Sequence, residues 1–183
     1  GGAGRRRRAP CVGGGPRFVL RSGDDRRPHA ARSYDVGLTW TPGPVAPPGV
    51  TSTVFTSMQA GGSGRIAMSF LGTGDSTAYP PAAGDATRWS LYIVTSDDGG
   101  AFTPTFTSYQ VEPETSPVQV GPICLIANTT CAPDSRNLGD FLGTALGPDG
   151  TFYVAYTLGC AASCRAQPHP TASDRRSQEV ART

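Results

Sequence analysis

Short segments in which apolar and polar residues alternate run through most of the chain. Ile66, Met68 and Phe70 are the clearest case, because a period of two places all three on one face of a strand. No window carries a convincing apolar stripe at helical spacing. We therefore predict antiparallel β-structure throughout, with less than about a tenth of the residues in helices. The predicted strands cover residues 53–57, 65–71, 89–95, 102–111, 141–146 and 151–157.

The residues between these segments are typical of turns. The sequence contains 24 Gly and 17 Pro, while 37% of its residues are hydrophobic and 16% are charged. Residues 147–150 are Gly-Pro-Asp-Gly, which predicts a hairpin because Pro presets one turn angle and Gly accepts a positive φ. Short strands joined by such turns indicate a sandwich, a barrel or a propeller, and the period alone leaves all of these open.

One turn motif occurs twice. Residues 33–40 fit Ser-x-Asp-x-Gly-x-x-Trp at every position, and residues 96–103 fit its first three fixed positions. We expect Asp35 and Asp98 to accept hydrogen bonds from main-chain N–H groups of their own turns. The Ser hydroxyl is expected to act likewise, and the Gly to adopt a positive φ. The motif therefore assigns both aspartates to turn formation and disfavours a catalytic role for them.

The aromatic residue of the motif is expected to cover the turn and to pack beside it. It is Trp40 in the first copy, whereas Phe102 comes one residue early in the second copy and makes that copy degenerate. We interpret Trp40, Trp89 and Phe102 as core residues. The alternative is that a Trp on the rim of the fold stacks on a sugar.

The repeated motif resembles the Asp box of the sialidase-like β-propellers, in which it joins the two outer strands of a blade. Further segments resemble successive landmarks of a secreted bacterial group identified as sialidase-like or exo-α-sialidase, and the resemblance covers about residues 31–182. These segments are residues 64–73, 121–131, 136–141 and 160–164.

The resemblance implies an all-β fold, a partial β-propeller of about three four-stranded antiparallel blades. A blade takes about 40 to 50 residues and a closed ring takes at least about four blades, so we expect further blades N-terminal to this chain. Residues 1–32 are a Gly/Arg-rich segment of little periodicity. We assign residues 33–160 to blades that carry Asp boxes at 33–40 and 96–103, and residues 161–183 to a closing strand and C-terminal tail.

The resemblance also implies a function, that of a glycoside hydrolase acting on sialic acid or related acidic glycans. Such enzymes use a Tyr nucleophile paired with a Glu, an Asp acid/base and an arginine triad that clamps the substrate carboxylate. The Phe-Arg-Ile-Pro motif of the first family arginine is absent here, and the glutamates of the sequence are Glu112, Glu114 and Glu179. No catalytic residue is therefore transferred by motif.

Arg136 and Asp140 are our candidate catalytic residues, four positions apart at the start of a segment that is typical of an inner strand. The alternative is a structural ion pair that closes the blade. We predict that this chain alone does not hydrolyse a sialoside, and we expect neither a cofactor nor a metal. A second functional hypothesis is a non-catalytic secreted propeller that binds a glycan or a protein.

The cysteines indicate an oxidising compartment. Cys124 and Cys131 form one close pair in sequence, and Cys160 and Cys164 form another, so we predict two disulfides and an unpaired Cys11. The alternative is a zinc site, although the spacings are not those of zinc knuckles. We expect a secreted, extracellular protein whose signal peptide preceded Gly1.

Two further classes of partner are disfavoured by charge and hydropathy. The net charge is +2, and the basic run Arg5 to Arg8 contains no interleaved aromatic residue, so we expect no nucleic-acid partner. No apolar run is long enough to predict a membrane span. A glycan or sialoside ligand is the partner that the resemblance implies.

Overall fold

A computed structural model describes residues 17–22, 27–75, 83–84, 86–113, 115–124, 138–139, 142–159 and 177–182. Within these ranges the chain forms eleven strands and one short 3-10 turn, Gly62–Gly64. The strands are β1 (Arg17–Ser22), β2 (Pro28–Ser33), β3 (Thr41–Pro44), β4 (Ser52–Ala60), β5 (Ile66–Thr73), β6 (Arg88–Ser96), β7 (Thr107–Gln110), β8 (Gln119–Val120), β9 (Gly143–Leu146), β10 (Phe152–Thr157) and β11 (Ser177–Arg182).

The strands form three sheets that follow one another along the chain. The first sheet has the order β1-β2-β3, the second β4-β5-β6-β7 with β8 added beside β6, and the third β11-β10-β9. Every strand pair is antiparallel. The all-β prediction is therefore confirmed for the described residues, and β5, β6 and β10 coincide closely with the strands predicted near 65–71, 89–95 and 151–157.

The second sheet lies between the other two and is buried on both faces, so that every residue of β5 is buried. Ile66, Met68 and Phe70 project together into a cluster that includes Ala30 of β2 and Val50. The prediction that Ile66, Met68 and Phe70 share one face of a strand is thus confirmed. Their alternation reflects the pleat, since a one-residue slip would exchange the side chains between the two faces.

The opposite face of the second sheet packs against the third sheet. Trp89 and Leu91 of β6 share this larger cluster with Phe152, Val154 and Tyr156 of β10. Trp89 has 0% exposure, and its indole Nε1 donates to the carbonyl oxygen of Gly121 at 3.0 Å. The buried N–H of this large side chain is therefore satisfied, as burial of a polar group requires.

The aromatic residues of the two Asp boxes do not share this burial. Phe102 is 90% exposed and Trp40 is 39% exposed, so the core prediction is correct for Trp89 and wrong for these two. Both lie in the turns that follow β2 and β6, outside the space between the sheets. The pleat that buries Trp89 within a strand does not extend into such turns.

The first strands of the second and third sheets contact each other through polar side chains. Ser57 Oγ of β4 lies 2.7 Å from Thr144 Oγ1 of β9, and Gln59 Nε2 donates to the Thr144 carbonyl oxygen at 3.2 Å. A register shift in the pairing of β4 with β5 between Val54 and Ser57 marks a bulge in this strand. These bonds fix how β4 and β9 lie beside each other.

Candidate functional site

The first Asp-box turn, residues 33–40, joins β2 to β3. Asp35 Oδ1 accepts hydrogen bonds from Thr39 N and from Ser33 Oγ, both at 2.8 Å, and Asp35 Oδ2 accepts one from Thr39 Oγ1 at 2.7 Å. The Gly37 N–H donates to Ser33 Oγ at 2.7 Å, and Gly37 has a φ of 94°. The hydrogen bonds from Thr39 and Ser33 lower the pKa of Asp35 to about 2. The predicted bonding and the positive φ are both confirmed.

The second Asp-box turn, residues 96–103, joins β6 to β7. Asp98 Oδ1 accepts from Thr105 N at 2.8 Å and from Ser96 Oγ at 2.9 Å, which confirms the predicted bonding. These bonds lower the pKa of Asp98. Gly100 lacks the positive φ that was expected. The reason is the longer loop, because Asp98 is bonded to a residue seven positions ahead, whereas Asp35 is bonded to one four positions ahead.

The two Asp-box turns are hydrogen-bonded to each other. Tyr34 Oη donates to the carbonyl oxygens of Gly100 and Ala101 at 3.0 and 2.8 Å. Arg32 Nη1 donates to the carbonyl oxygens of Ala101 and Phe102 at 2.8 and 3.3 Å. Side chains from the end of β2 and from the first turn therefore donate to main-chain acceptors of the second turn, and these bonds connect the first two sheets at this end.

The hairpin predicted at residues 147–150 joins β9 to β10 and is confirmed. Asp149 Oδ1 accepts from Thr151 N at 3.0 Å, and Asp149 Oδ2 accepts from Thr151 Oγ1 at 2.7 Å. These bonds lower the pKa of Asp149. Gly150 has a φ of 91°, a conformation that favours glycine.

A groove of about 800 Å³ lies between the second and third sheets, next to the turns at 96–103 and 147–150. We call it the inter-sheet groove. It is lined by Arg65, Ile66, Ala67, Ile93, Thr95, Ser96, Asp97, Thr107, Tyr109, Leu146, Asp149, Gly150, Thr151, Phe152 and Tyr153. Its lining combines an apolar floor with a guanidinium, two carboxylates and two phenols. This is the mixture that small-molecule sites use.

A Tyr–Glu pair that the sequence pattern did not predict joins a buried tyrosine to a half-buried glutamate. Tyr156 Oη donates to Glu112 Oε1, and Tyr156 is 4% exposed. Burial raises the pKa of Tyr156, and the carboxylate of Glu112 raises it further. The two residues lie 44 positions apart in sequence, so no local pattern joins them. Burial and the bond to Glu112 therefore favour the protonated phenol.

The candidate residues Arg136 and Asp140 lie outside the described residues. Leu138, between them in sequence, is buried in the cluster that joins the second and third sheets. Cys124 is also buried, but its predicted partner Cys131 lies outside the described residues. Cys160, Cys164 and Cys11 also lie outside the described residues, so both disulfides remain predictions.

Among the described residues, no group of three or more His, Cys, Asp or Glu side chains is placed to hold a metal ion. Within the same ranges, no helix is long and apolar enough to cross a membrane. Comparison of the chain with protein-family models and with curated proteins finds no match.

Proposed function

We propose that the chain forms consecutive blades of a sialidase-like β-propeller. The carrying observation is that both Asp boxes lie at the same junction, between the last two strands of the first sheet and between β6 and β7 of the second. In the second sheet β4 to β7 form a four-stranded meander, which is the composition of one blade. Repeated blades place the same motif at the same turn of each sheet, whereas a β-sandwich does not require its turns to be equivalent.

The contacts between the sheets support the same arrangement. The first strands β4 and β9 are hydrogen-bonded through Thr144, as the inner strands of neighbouring blades are near a propeller axis. The last strands of the first two sheets, β3 and β7, are largely exposed, as outer strands are. The apolar clusters lie between successive sheets, which is how neighbouring blades bury their faces.

As its function we propose that of a secreted glycoside hydrolase acting on sialic acid or related acidic glycans, of which this chain is a part. Of the two candidate residues, we assign Arg136 to binding the substrate carboxylate, because a guanidinium donates two parallel charged hydrogen bonds to a carboxylate. We assign the role of acid/base in this proposal to Asp140. These assignments rest on the spacing of the two residues, four positions apart at the start of a segment that is typical of an inner strand.

The chain by itself is not expected to turn over a sialoside. A Tyr nucleophile has to reach the substrate and lose its proton, whereas Tyr156 is buried and its pKa is raised. Its bond to Glu112 stabilises the neutral phenol in the core. Catalysis also needs its groups held rigidly in productive geometry, which an open array of blades does not provide.

A fluorogenic sialoside assay tests this proposal on two proteins, the chain as given and the product of the complete open reading frame that encodes it. We expect turnover from the complete product and none from the chain above a control with Arg136→Ala and Asp140→Ala. In the complete product, Arg136→Ala is expected to lower kcat/KM by about 10- to 100-fold, the cost of charged hydrogen bonds. No turnover by a folded complete product would contradict the hydrolase assignment.

The second candidate function is non-catalytic binding of a glycan or a protein. The exposed aromatic side chains of Trp40 and Phe102 favour it, because large apolar groups on a rim are typical of binding surfaces. A complete product that binds a glycan array without turnover would select this candidate over the hydrolase.

A further inference from the structure

The inter-sheet groove forms where three turns of the second and third sheets meet. Arg65 follows the 3-10 turn that joins β4 to β5, Asp97 belongs to the second Asp box, and Gly150 ends the hairpin between β9 and β10. Each turn is fixed by its own hydrogen bonds. Gly61 N donates to the Arg65 carbonyl oxygen at 2.8 Å, and the carboxylates of Asp98 and Asp149 accept bonds from main-chain N–H groups. The backbone that carries the side chains of the groove is therefore held in place by hydrogen bonds.

The floor of the groove is apolar. Ala67, Ile93 and Phe152 line it and are almost completely buried in the cluster between the two sheets. The groove volume of about 800 Å³ lies within the range of sites that take small molecules. Tyr109 and Tyr153 add two aromatic rings to its walls. A ligand with one flat, weakly polar face fits against such a floor and walls.

Three polar groups at the groove carry no hydrogen bond or ion pair within the described part of the chain. They are the guanidinium of Arg65, the carboxylate of Asp97 and the phenol of Tyr153. Asp149 differs from them, because both of its oxygens are bonded to Thr151. The groove thus presents a forked donor, an acceptor and a phenol that both donates and accepts.

Gly150 leaves space for the guanidinium of Arg65. A Cβ built at this position would come within 2.5 Å of Arg65 Nη1, and its positive φ of 91° already disfavours other residues. The absence of a side chain lets the guanidinium lie directly over the hairpin. The guanidinium of Arg65 therefore lies beside the bare backbone of Gly150 at the groove wall.

We propose that the inter-sheet groove binds a neutral saccharide unit. Sugar hydroxyls both donate and accept, so adjacent hydroxyls satisfy the Arg65 fork and the Asp97 carboxylate, while the tyrosine rings contact the C–H face of the sugar. Two carboxylates, Asp97 and Asp149, stand against one guanidinium, which disfavours an anionic sugar at this position. This proposal goes beyond the hydrolase function, and its residues do not include Arg136 or Asp140.

Lactose and its anionic derivative sialyllactose are the matched probes, measured against the purified chain by saturation-transfer NMR and by titration calorimetry. We expect lactose to bind with a dissociation constant of about 1 mM or below, and more tightly than sialyllactose. Arg65→Ala and Asp97→Asn are each expected to weaken lactose binding by about tenfold or more, since each removes a charged hydrogen bond. Arg27→Ala removes an exposed guanidinium ahead of β2 and is the control expected to leave binding unchanged.

Thermal melting of each variant checks that the fold is retained, because Arg65 and Asp97 are exposed and their substitution removes no described hydrogen bond of their side chains. Undetectable lactose binding by the folded chain would overturn the proposal. Equal binding by the parent and both groove variants would overturn the location. Tighter binding of sialyllactose than of lactose would overturn the assignment of a neutral ligand.

Discussion

Replacement of Trp89 by Ala, compared with replacement of Phe102 by Ala, tests which aromatic residues support the fold. The sequence places both side chains in the core, whereas Trp89 has 0% and Phe102 has 90% exposure in the structure. Trp89 also donates its indole N–H to the Gly121 carbonyl at 3.0 Å. The two substitutions are therefore expected to differ greatly in their effect on the free energy of unfolding.

The magnitude follows from burial and from the lost hydrogen bond. A Trp side chain buries about 200 Å², and at about 25 cal/mol per Å² its transfer from water gives about 5 kcal/mol as an upper value. Measured Trp and Phe truncations in cores cost about 3 to 5 kcal/mol. We expect Trp89→Ala to lie in this range. Phe102→Ala is expected to stay within about 0.5 kcal/mol, as exposed substitutions do.

Thermal unfolding followed by circular dichroism measures the difference. For a chain of this size about 1 kcal/mol shifts Tm by about 2 to 4 °C, so Trp89→Ala is expected to lower Tm by about 6 to 20 °C. If Trp89→Ala does not fold, Trp89→Phe serves in its place, because it keeps an aromatic ring and removes the hydrogen bond to the Gly121 oxygen. It is expected to lower the free energy of unfolding by about 1 to 3 kcal/mol. Equal losses of stability in the Trp89 and Phe102 variants would refute the assignment of the core.

Three further predictions concern the turns and the cysteines. The pKa of Asp35 is about 2, below its ordinary 3.8, so the stabilisation from its bonds to Thr39 is present above pH 3.8 and is lost as the pH falls towards 2; an NMR titration of the carboxyl should have its midpoint near 2. Tyr34→Phe removes both bonds to the second Asp box and is expected to cost about 0.5 to 1.5 kcal/mol, measured by urea unfolding. Peptide mapping without reduction should recover Cys124 linked to Cys131, and free thiols at both positions after oxidative purification would contradict the disulfide.

The strands and the Asp boxes could be predicted because their determinants are local. Ile66, Met68 and Phe70 share a face through the pleat of a single strand, and the hydrogen bonds of Asp35 join residues no more than four positions apart. The second Asp box was predicted less well. The bond from Thr105 to Asp98 spans seven residues, and the longer loop leaves Gly100 without its positive φ. Loop length beyond the motif changes the turn, and the motif does not encode it.

The pairings between sheets could not be predicted, because a single sequence does not specify which faces meet. Tyr156 lies in β10 of the third sheet and Glu112 lies in the loop after β7, so their hydrogen bond depends on the packing of β10 against the second sheet. The inter-sheet groove has the same origin, since Arg65 and Gly150 are neighbours only after the sheets pack. The exposure of Phe102 also depends on packing, because packing decides which side of its loop stays in contact with solvent.

The protonation of the turn aspartates constrains where chemistry can occur in this fold. Hydrogen bonds from main-chain N–H groups lower the pKa of Asp35, Asp98 and Asp149, so these carboxylates are ionised at neutral pH and engaged in their own turns. A general acid needs the opposite, a pKa near the working pH and a proton to donate. The hydrogen bonding that shapes each turn and catalytic acidity are therefore incompatible at these positions. Under the proposed hydrolase function, the acid/base has to come from a carboxyl group other than these three, and Asp140 is the candidate to test.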